Sequence, residues 1–310
     1  MDHDSSVLAI EIGGTKLQLV TAQEVGVSEA LDAMSLKVDQ GSEASEIRSQ
    51  LAGAIAKLRQ RFAWEAVGVG FGGPVDPSSG TVCRSFQIGG WSGFPLQQWL
   101  TDLTGAPVIV ENDSNVAALG EALSGSGQGH RTVFYTNSGS GVGGGLVSDG
   151  KLYRGAVPGE AEFGHLRLDR TGTIVEDRCS GWAVDQKVRD AIGEHPQSML
   201  AELATADPAA GNESRFLSTA LAQLDPIAHR ILNETAADLA FALSHVAHLF
   251  HPDVIVLGGG LALIGEPWRE AVAKQLPQYL MDGFSSEVRL SSLGEQVVPV
   301  GALHLAAGLG

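Results

Sequence analysis

The pattern of apolar and polar positions near the start of the chain predicts a β-hairpin. Residues 7–12 and 16–21 both have strand-like patterning, and Gly13-Gly14 between them is a turn signal. Apolar side chains then recur with helical spacing over residues 43–62. These positions are Ile47, Leu51, Ile55, Leu58 and Phe62. A strand pair followed by an amphipathic helix is therefore expected.

Short apolar runs predict further strands, and they end at glycines or near acidic residues. These runs cover residues 66–71, 107–111, 132–135 and 254–257. Helices are predicted at residues 114–123, 226–250 and 300–309, the first with Asp113 or Ser114 as its N-cap. Strands interleaved with helices indicate an α/β protein whose ligands bind at the carboxyl ends of the strands.

Composition narrows the class of protein. The chain has 310 residues, a length that favours two domains. Its formal net charge of −16 opposes binding to nucleic acid, because phosphate contacts need Lys or Arg. Cys83 and Cys179 are too few for a disulfide framework and fit a cytoplasmic protein. We see no signal peptide in the first residues and no apolar run that would span a membrane.

Glycine-rich turns are the first candidate binding motifs among the 40 glycines. Gly13-Gly14-Thr15-Lys16 offers backbone N–H groups, a hydroxyl and a positive charge to a phosphate, although an ordinary hairpin turn explains it equally well. The run 139–145 matches G-x-G-x-x-G, and so does 68–73, so one match is incidental. A hairpin rather than a helix is expected after residue 145, which argues against a dinucleotide site and leaves phosphate contact.

Polar residues at strand ends are the second candidate. Asp113, beside Asn112, is placed to accept a proton, with a simple helix cap as the alternative. Glu162 and His165 are suitably spaced to hold a polyol, with a surface Glu and a satisfied His as the alternative. Glu160 is a competing carboxylate. The spacing of His245, His248 and His251 is a poor match for a metal site.

The order and spacing of these motifs, from about Val7 to Ala307, resemble the ROK family (repressors, open reading frames and sugar kinases) of the actin-like and hexokinase-like ATPase superfamily. The matching segments are Gly13-Gly14-Thr15-Lys16, Gly72-Gly73-Pro74-Val75-Asp76, Glu111-Asn112-Asp113 with Asn115, Gly139-Ser140-Gly141-Val142-Gly143, Gly155 to His165, and Leu257-Gly258-Gly259-Gly260.

The resemblance implies two RNase-H-like domains with an interdomain cleft that binds a sugar and ATP with Mg²⁺. Residues 1–118, with the closing helix at about 299–310, would form the sugar and phosphate domain, and residues 119–298 the nucleotide domain. Asp113 would be the catalytic base. The implied sugar ligands are Gly72, Gly73, Asn112, Glu162, His165 and Glu176. The implied ATP ligands are Gly13, Gly14, Thr15, Lys16, Gly139, Ser140, Gly141, Gly259 and Gly260.

Three departures from the family pattern bear on the site. Glu11 stands where the family usually has Asp, at a position expected near the Mg²⁺ and in indirect contact with it. The Cys-rich zinc loop that follows the family's E-x-G-H motif is largely missing, so no zinc is expected, and Glu176 matches the Glu after the last zinc cysteine. Gln87 replaces a common Asn on the sugar side.

The resemblance makes a glucokinase-like hexose kinase the expected activity, with glucose as the default substrate. Fructose, mannose, N-acetylglucosamine and N-acetylmannosamine are alternatives. A homodimer is expected, as is common in the family. An alternative of another class is a catalytically silent sugar-binding regulator without a DNA-binding domain, because the first strand begins at about residue 7.

Overall fold

The computed structural model describes residues 6–23, 30–39, 41–85, 88–157, 161–207 and 211–309. Its strands are β1 (Ser6–Ile12), β2 (Lys16–Ala22), β3 (Asp32–Lys37), β4 (Trp64–Phe71), β5 (Val75–Asp76), β6 (Thr81–Val82), β7 (Val108–Asn112), β8 (Thr132–Ser138), β9 (Val142–Ser148), β10 (Lys151–Leu152), β11 (Val254–Gly258) and β12 (Glu287–Leu290). Its α-helices are α1 (Ala44–Leu58), α2 (Leu96–Thr104), α3 (Asp113–Ser124), α4 (Glu176–Cys179), α5 (Gly181–Glu194), α6 (Met199–Ala206), α7 (Phe216–Ala222), α8 (Pro226–Phe250), α9 (Glu266–Gln275) and α10 (Val297–Ala307).

The chain forms two compact units. Unit 1 comprises the described residues of 1–129, 145–161 and 295–310, and unit 2 those of 130–144 and 162–294. The two five-stranded sheets have the orders β3-β2-β1-β4-β7 and β10-β9-β8-β11-β12. In the first sheet β1 pairs in parallel with β4, and β4 with β7. In the second sheet β8 pairs in parallel with β11, and β11 with β12. The mixed α/β, RNase-H-like fold expected for each half is thereby confirmed.

The core of unit 1 lies between its sheet and the flanking helices. Alternate residues of β1, such as Leu8 and Ile10, are fully buried together with Ile47 and Leu51 of α1. Because the apolar residues of α1 repeat at helical spacing, they form one stripe that packs on the sheet. The amphipathic helix expected at residues 43–62 is confirmed and ends earlier, at Leu58.

Glycines allow the closing helix α10 to pack closely within unit 1. A Cβ at Gly68 would lie 1.8 Å from the carbonyl oxygen of Ala302, and one at Gly301 would lie 1.8 Å from that of Val116. A Cβ at Gly70 would similarly lie 2.5 Å from Cγ1 of Val298. The G-x-G-x-x-G match at residues 68–73 therefore begins with two glycines that serve helix packing.

Unit 2 is organised around the long helix α8, which the sequence predicted at the same bounds. Asp225 caps it by accepting hydrogen bonds from the backbone of Ile227 and Ala228 at 2.7 and 2.9 Å, and Pro226 occupies the first turn. All of β11 is buried, as expected of an apolar strand between two parallel neighbours.

The predicted hairpins are also confirmed. β1 pairs antiparallel with β2, and β9 with β10, so a strand pair rather than a helix follows the second glycine run. The N-cap prediction for α3 was wrong: the side chain of Asn112 caps the helix, and Asp113 is its first residue. Cys83 is an exposed free thiol and Cys179 a buried one. Among the residues described, no helix combines the length and apolar character needed to span a bilayer.

The domain boundary near residue 118 stays a prediction. In unit 1 the chain continues through α3 to residue 129, and residues 145–161 return to the same unit.

Candidate functional site

The first glycine turn of unit 1 is a tight hairpin turn with an exposed tip. The backbone N–H of Gly13 donates to the carbonyl oxygen of Lys16 at 3.0 Å, and Val38 donates to that of Thr15 at 2.9 Å. Gly14 and Thr15 are exposed. The turn is thus an ordinary hairpin connection, and its exposed backbone is still accessible to a phosphate.

Glu11 lies just before this turn with a poorly satisfied carboxylate. The residue is 9% exposed, and Lys16 Nζ is 3.7 Å from its Oε2, an ion pair too long for a hydrogen bond. Oε2 has no hydrogen-bond partner among the described residues. Burial raises the pKa of Glu11 to about 7, the Lys16 charge lowers it in part, and the Asp113 charge raises it further. An uncompensated buried oxygen of this kind suits a cation that arrives with a ligand.

The loop after β4 brings Asp113 close to that turn. Gly72 donates its N–H to the carbonyl oxygen of Ile12 at 2.9 Å. A Cβ at Gly72 would lie 3.5 Å from Asp113 Oδ2 and 3.7 Å from the Cα of Gly13. Since β1, β4 and β7 are parallel, their carboxyl ends meet at one edge of the sheet. Three sequence motifs predicted separately therefore converge on the Asp113 carboxylate.

Asn112 shapes the segment around Asp113. Its Oδ1 accepts hydrogen bonds from the backbone of Ser114 and Asn115 at 2.9 and 3.2 Å, while its Nδ2 donates to the carbonyl oxygen of Gly73 at 3.3 Å. Asn112 thus joins the start of α3 to the Gly72-Gly73 loop. Asp113, partly exposed at the first helical position, lies where the helix dipole favours a negative charge.

An ion pair between the buried carboxylate of Glu111 and the partly exposed Arg154 supports this segment. The side chain of Glu111 is 1% exposed and accepts a hydrogen bond from Arg154 Nε at 2.6 Å through Oε2. Its Oε1 accepts from the backbone of Asn112 at 3.1 Å and from Asn115 Nδ2 at 3.2 Å. Arg154 could not be predicted from the sequence, because no local pattern links two residues so far apart in the chain. A charged Glu within a buried strand end was the available signal.

In unit 2, two glycine turns lie against each other. The N–H of Gly139 donates to the carbonyl oxygen of Gly141 at 2.9 Å, and Gly181 donates to that of Gly139 at 2.6 Å. Gly259 has φ +78°, and a Cβ there would lie 2.6 Å from the backbone of Ser138. Only glycine fits this close approach, so the Gly258–Gly260 turn is fixed beside the start of the Gly139–Gly141 loop.

Glu176, predicted as a sugar ligand, also contacts this loop. Its Oε2 accepts a hydrogen bond from the backbone N–H of Val142 at 2.9 Å, and a Cβ at Gly141 would lie 2.5 Å from that oxygen. The carboxylate therefore fixes the end of the glycine loop, and Gly141 leaves it the necessary space.

Glu162 and His165 form an exposed pair in the segment that packs on Val142. His165 Nδ1 is 3.3 Å from Glu162 Oε2, and their side chains are 56% and 48% exposed. Gly164 between them packs so closely on Val142 that a Cβ would lie 2.1 Å from its carbonyl oxygen. Unit 2 thus brings together Glu162, His165, Glu176 and the Gly139–Gly141 loop. Glu160 and Gln87 lie outside the described residues.

The residues near His165 do not fit a zinc ion. Cys179 is fully buried, its Sγ lies 3.7 Å from the carbonyl oxygen of Thr235, and burial raises the pKa of its thiol to about 12. In the described part of the chain, no group of three or more His, Cys, Asp and Glu residues is arranged to hold a metal ion. Zinc needs three or four such ligands, with cysteine bound as thiolate.

Comparison with known proteins agrees with the order of the motifs. The glucokinase of Streptomyces coelicolor is 31% identical over 312 residues, covering 96% of each chain, and that of Thermotoga maritima is 28% identical, also covering 96% of each. The crystal structure of a ROK family glucokinase from Streptomyces griseus, in complex with glucose and AMPPNP, matches with a TM-score of 0.85 at 30% identity, covering 98% of this chain and 99% of that one. The model of the ROK family matches residues 7–308, and the chain belongs to the ROK family.

Proposed function

We propose that this protein is an ATP-dependent hexose kinase in which Asp113 is the general base. Sugar kinase activity is supported by the glucokinase relatives at about 30% identity over nearly the whole chain. The observation that carries the proposal is the convergence of the Gly13 turn, the Gly72 loop and Asp113 at one sheet edge. A carboxylate beside a phosphate-type turn suits attack by a hydroxyl group on a phosphate.

The proposed sugar ligands are polar groups that match the hydroxyls of a hexose. Gly72 and Gly73 present backbone groups, and Asn112 has one amide hydrogen beyond its bond to Gly73. Glu162 and His165 are exposed side chains that offer an acceptor and a ring nitrogen. Glu176 completes the set with its second carboxylate oxygen.

The proposed ATP ligands are mainly backbone groups, as a chain of net charge −16 requires. The phosphates would be held by Gly13, Gly14, Thr15, Lys16, Gly139, Ser140 and Gly141, and the nucleoside would lie against Gly259 and Gly260. Mg²⁺ would be held near Glu11 through water, where Oε2 has no hydrogen-bond partner in the described residues. When bound, this ion neutralises charge on the phosphates.

In the proposed reaction, Asp113 accepts the proton of the attacking sugar hydroxyl as the new bond to the γ-phosphorus forms and the bond to the leaving ADP breaks. The start of α3 favours the ionised carboxylate before the reaction. The Glu111–Arg154 pair and the Asn112 cap hold the base in place. Phosphoryl transfer depends mainly on positioning and charge stabilisation, which rigid glycine turns provide.

A coupled assay for ADP formation across a panel of sugars tests this function. We expect the highest kcat/KM with glucose, and lower values with fructose, mannose, N-acetylglucosamine and N-acetylmannosamine. A higher kcat/KM with one of the other sugars would assign the specificity to that sugar, and the proposed kinase activity would stand. Calorimetry that detects sugar binding, together with no ADP formation for any sugar, would instead support a silent sugar-binding protein. We also propose that the protein is cytoplasmic and forms a homodimer. Sedimentation analysis tests the dimer.

A further inference from the structure

The segment that joins His165 to Glu176 is a closed β-hairpin. The backbone N–H of Leu168 donates to the carbonyl oxygen of Thr173 at 2.9 Å, and that of Val175 donates to Leu166 at 3.0 Å. Between these bonds, Arg167 and Ile174 form an antiparallel bridge. His165 and Glu176 are thus the residues immediately outside the last hydrogen bond of the hairpin.

A single carboxylate oxygen closes the turn of this hairpin. Asp169 Oδ1 accepts hydrogen bonds from Thr171 N and Thr171 Oγ1 at 2.7 Å each, from Gly172 N at 2.9 Å and from Thr173 N at 3.2 Å. Hydrogen bonds from Thr173 and Thr171 hold the pKa of Asp169 far below its usual value, so the carboxylate is ionised at neutral pH. Gly172, at φ +116°, supplies the left-handed conformation that the turn requires.

Both ends of the hairpin are fixed to unit 2. On the His165 side, Leu166 N donates to the carbonyl oxygen of Phe163 at 3.1 Å, and the Phe163 ring packs on that of Phe134. On the Glu176 side, Ile174 N donates to Asp177 Oδ2 at 3.0 Å, and Val175 is fully buried. A hairpin anchored in this way sets the separation between the two proposed sugar ligands.

We propose that Asp169 is a positioning residue that, by closing this hairpin, holds His165 and Glu176 at the spacing needed to bind sugar. The inference rests on the proposed function. The hairpin would support His165 in place of a metal ion, which the residues near His165 do not fit. Without closure, the segment gains conformational freedom that sugar binding must remove, so affinity for sugar falls. The Gly139–Gly141 loop is held by Glu176 at one end and by the N–H of Gly181 at the other, and the Gly181 bond does not depend on the hairpin, so ATP binding is affected much less than sugar binding.

The test compares Asp169→Ala with Asp169→Asn, which keeps an oxygen acceptor and removes the charge. We expect Asp169→Ala to raise the KM for sugar roughly tenfold and to leave the KM for ATP within about twofold. Asp169→Asn should stay within about threefold of wild type for both. Glu266→Ala is the control: it removes the same charge from an exposed carboxylate bonded to Arg269 in the same unit, and we expect no change.

Several outcomes would overturn the inference. An unchanged KM for sugar in Asp169→Ala, a proportional rise in both KM values, or an Asp169→Asn variant as impaired as Asp169→Ala would each contradict it. If Asp169→Ala does not fold, Thr171→Ala removes one of the four bonds, and we expect a smaller rise in the same KM. If the wild type binds sugar without turnover, calorimetric dissociation constants replace KM. Absence of both sugar binding and turnover would end the proposed function, and this inference with it.

Metal content gives a second, independent test. We expect the purified protein to contain no stoichiometric zinc, and chelation followed by return of Mg²⁺ to leave its thermal unfolding unchanged. One zinc ion per chain, or a lower unfolding temperature after chelation, would contradict the role given to the hairpin.

Discussion

Glu11 combines a proposed function with a cost in stability. Its carboxylate is buried, its ion pair with Lys16 is 3.7 Å long, and its pKa is raised to about 7. Without bound ATP and Mg²⁺, an ionised Glu11 therefore destabilises the folded state. The residue departs from the Asp expected by family resemblance, and its extra methylene changes how far the carboxylate reaches.

This cost predicts a pH dependence of stability. Between the ordinary value of 4.5 and about 7, the folded protein binds a proton at Glu11 that the unfolded chain has lost, so this residue lowers stability progressively as pH rises. Above about pH 7, Glu11 lowers the free energy of unfolding by its full amount, about 3 kcal/mol. We expect Glu11→Gln to raise the free energy of unfolding of the ligand-free protein near pH 8 and to change it little near pH 5.

Urea unfolding at both pH values measures this difference. Glu65→Gln, at an exposed position in β4, is the control and should show no such dependence. An equal effect of Glu11→Gln at the two pH values would contradict the assignment.

The helix cap illustrates what sequence does not determine at the scale of residues. Asn112, Asp113 and Ser114 are all good N-cap residues, so the sequence allowed several starts for α3. The structure selects Asn112, whose side chain also bonds to Gly73 in a loop distant in sequence. The choice depends on a tertiary contact, and it leaves Asp113 available for the role proposed here.

At the scale of elements, the glycine turns differ in whether neighbouring backbone leaves room for a side chain. Gly259 and Gly265 have similar backbone angles, with φ +78° and +83°, but only a Cβ at Gly259 would strike neighbouring backbone, that of Ser138 at 2.6 Å. Gly265 has nothing within 4 Å. Substitutions at the two positions therefore separate the effect of backbone strain from the effect of disturbing the contact between two turns.

This contrast gives a matched pair of variants. We expect Gly265→Ala to lower stability by about 1–3 kcal/mol through backbone strain and to leave the KM for ATP unchanged. Gly259→Ala should lower stability by at least as much and also raise the KM for ATP roughly tenfold or more, because the turn must move away from Ser138. Steady-state kinetics and thermal unfolding measure both. An equal KM for ATP in the two variants would contradict a nucleotide role for this turn.

The Glu111–Arg154 pair connects the end of β7 to the segment after β10. Removing the guanidinium leaves a carboxylate, 1% exposed, without its charged partner. We therefore expect Arg154→Met to lower the free energy of unfolding by about 2–4 kcal/mol, somewhat less than for a fully buried pair, because Arg154 itself is partly exposed. Arg289→Met is a matched control, because Arg289 has similar exposure, 36% against 38%, but an exposed partner in Glu287.

Urea unfolding of the two variants measures this contrast. The expected loss for Arg289→Met is below about 1 kcal/mol. Similar losses of unfolding free energy in the two variants would show that the effect of Arg154→Met does not come from the burial of Glu111.

Across the whole molecule, the elements that could be predicted were those with long or strongly patterned sequences. The β1–β2 hairpin, α1 and α8 follow from alternation, helical spacing and end signals. The edge strand β3 and the helices between residues 176 and 222 were not predicted, because their mixed composition gives weak periodicity.

The candidate site was likewise predictable only in part. Strand-end motifs indicated Asp113 and the glycine turns, because parallel strands bring their carboxyl ends to one edge. The support by Arg154, the contact of Glu176 with the Gly139–Gly141 loop and the closure of the hairpin by Asp169 were not predicted. Each depends on three-dimensional contacts or side-chain geometry.

The measurement that tests the account most directly is the turnover of Asp113→Asn with the best sugar of the panel. This variant keeps the size and position of the side chain but cannot accept the proton. We expect kcat to fall by about 10²–10⁴-fold, with the KM for sugar within about threefold of wild type. A kcat near that of the wild type would contradict the assignment of Asp113 as the base.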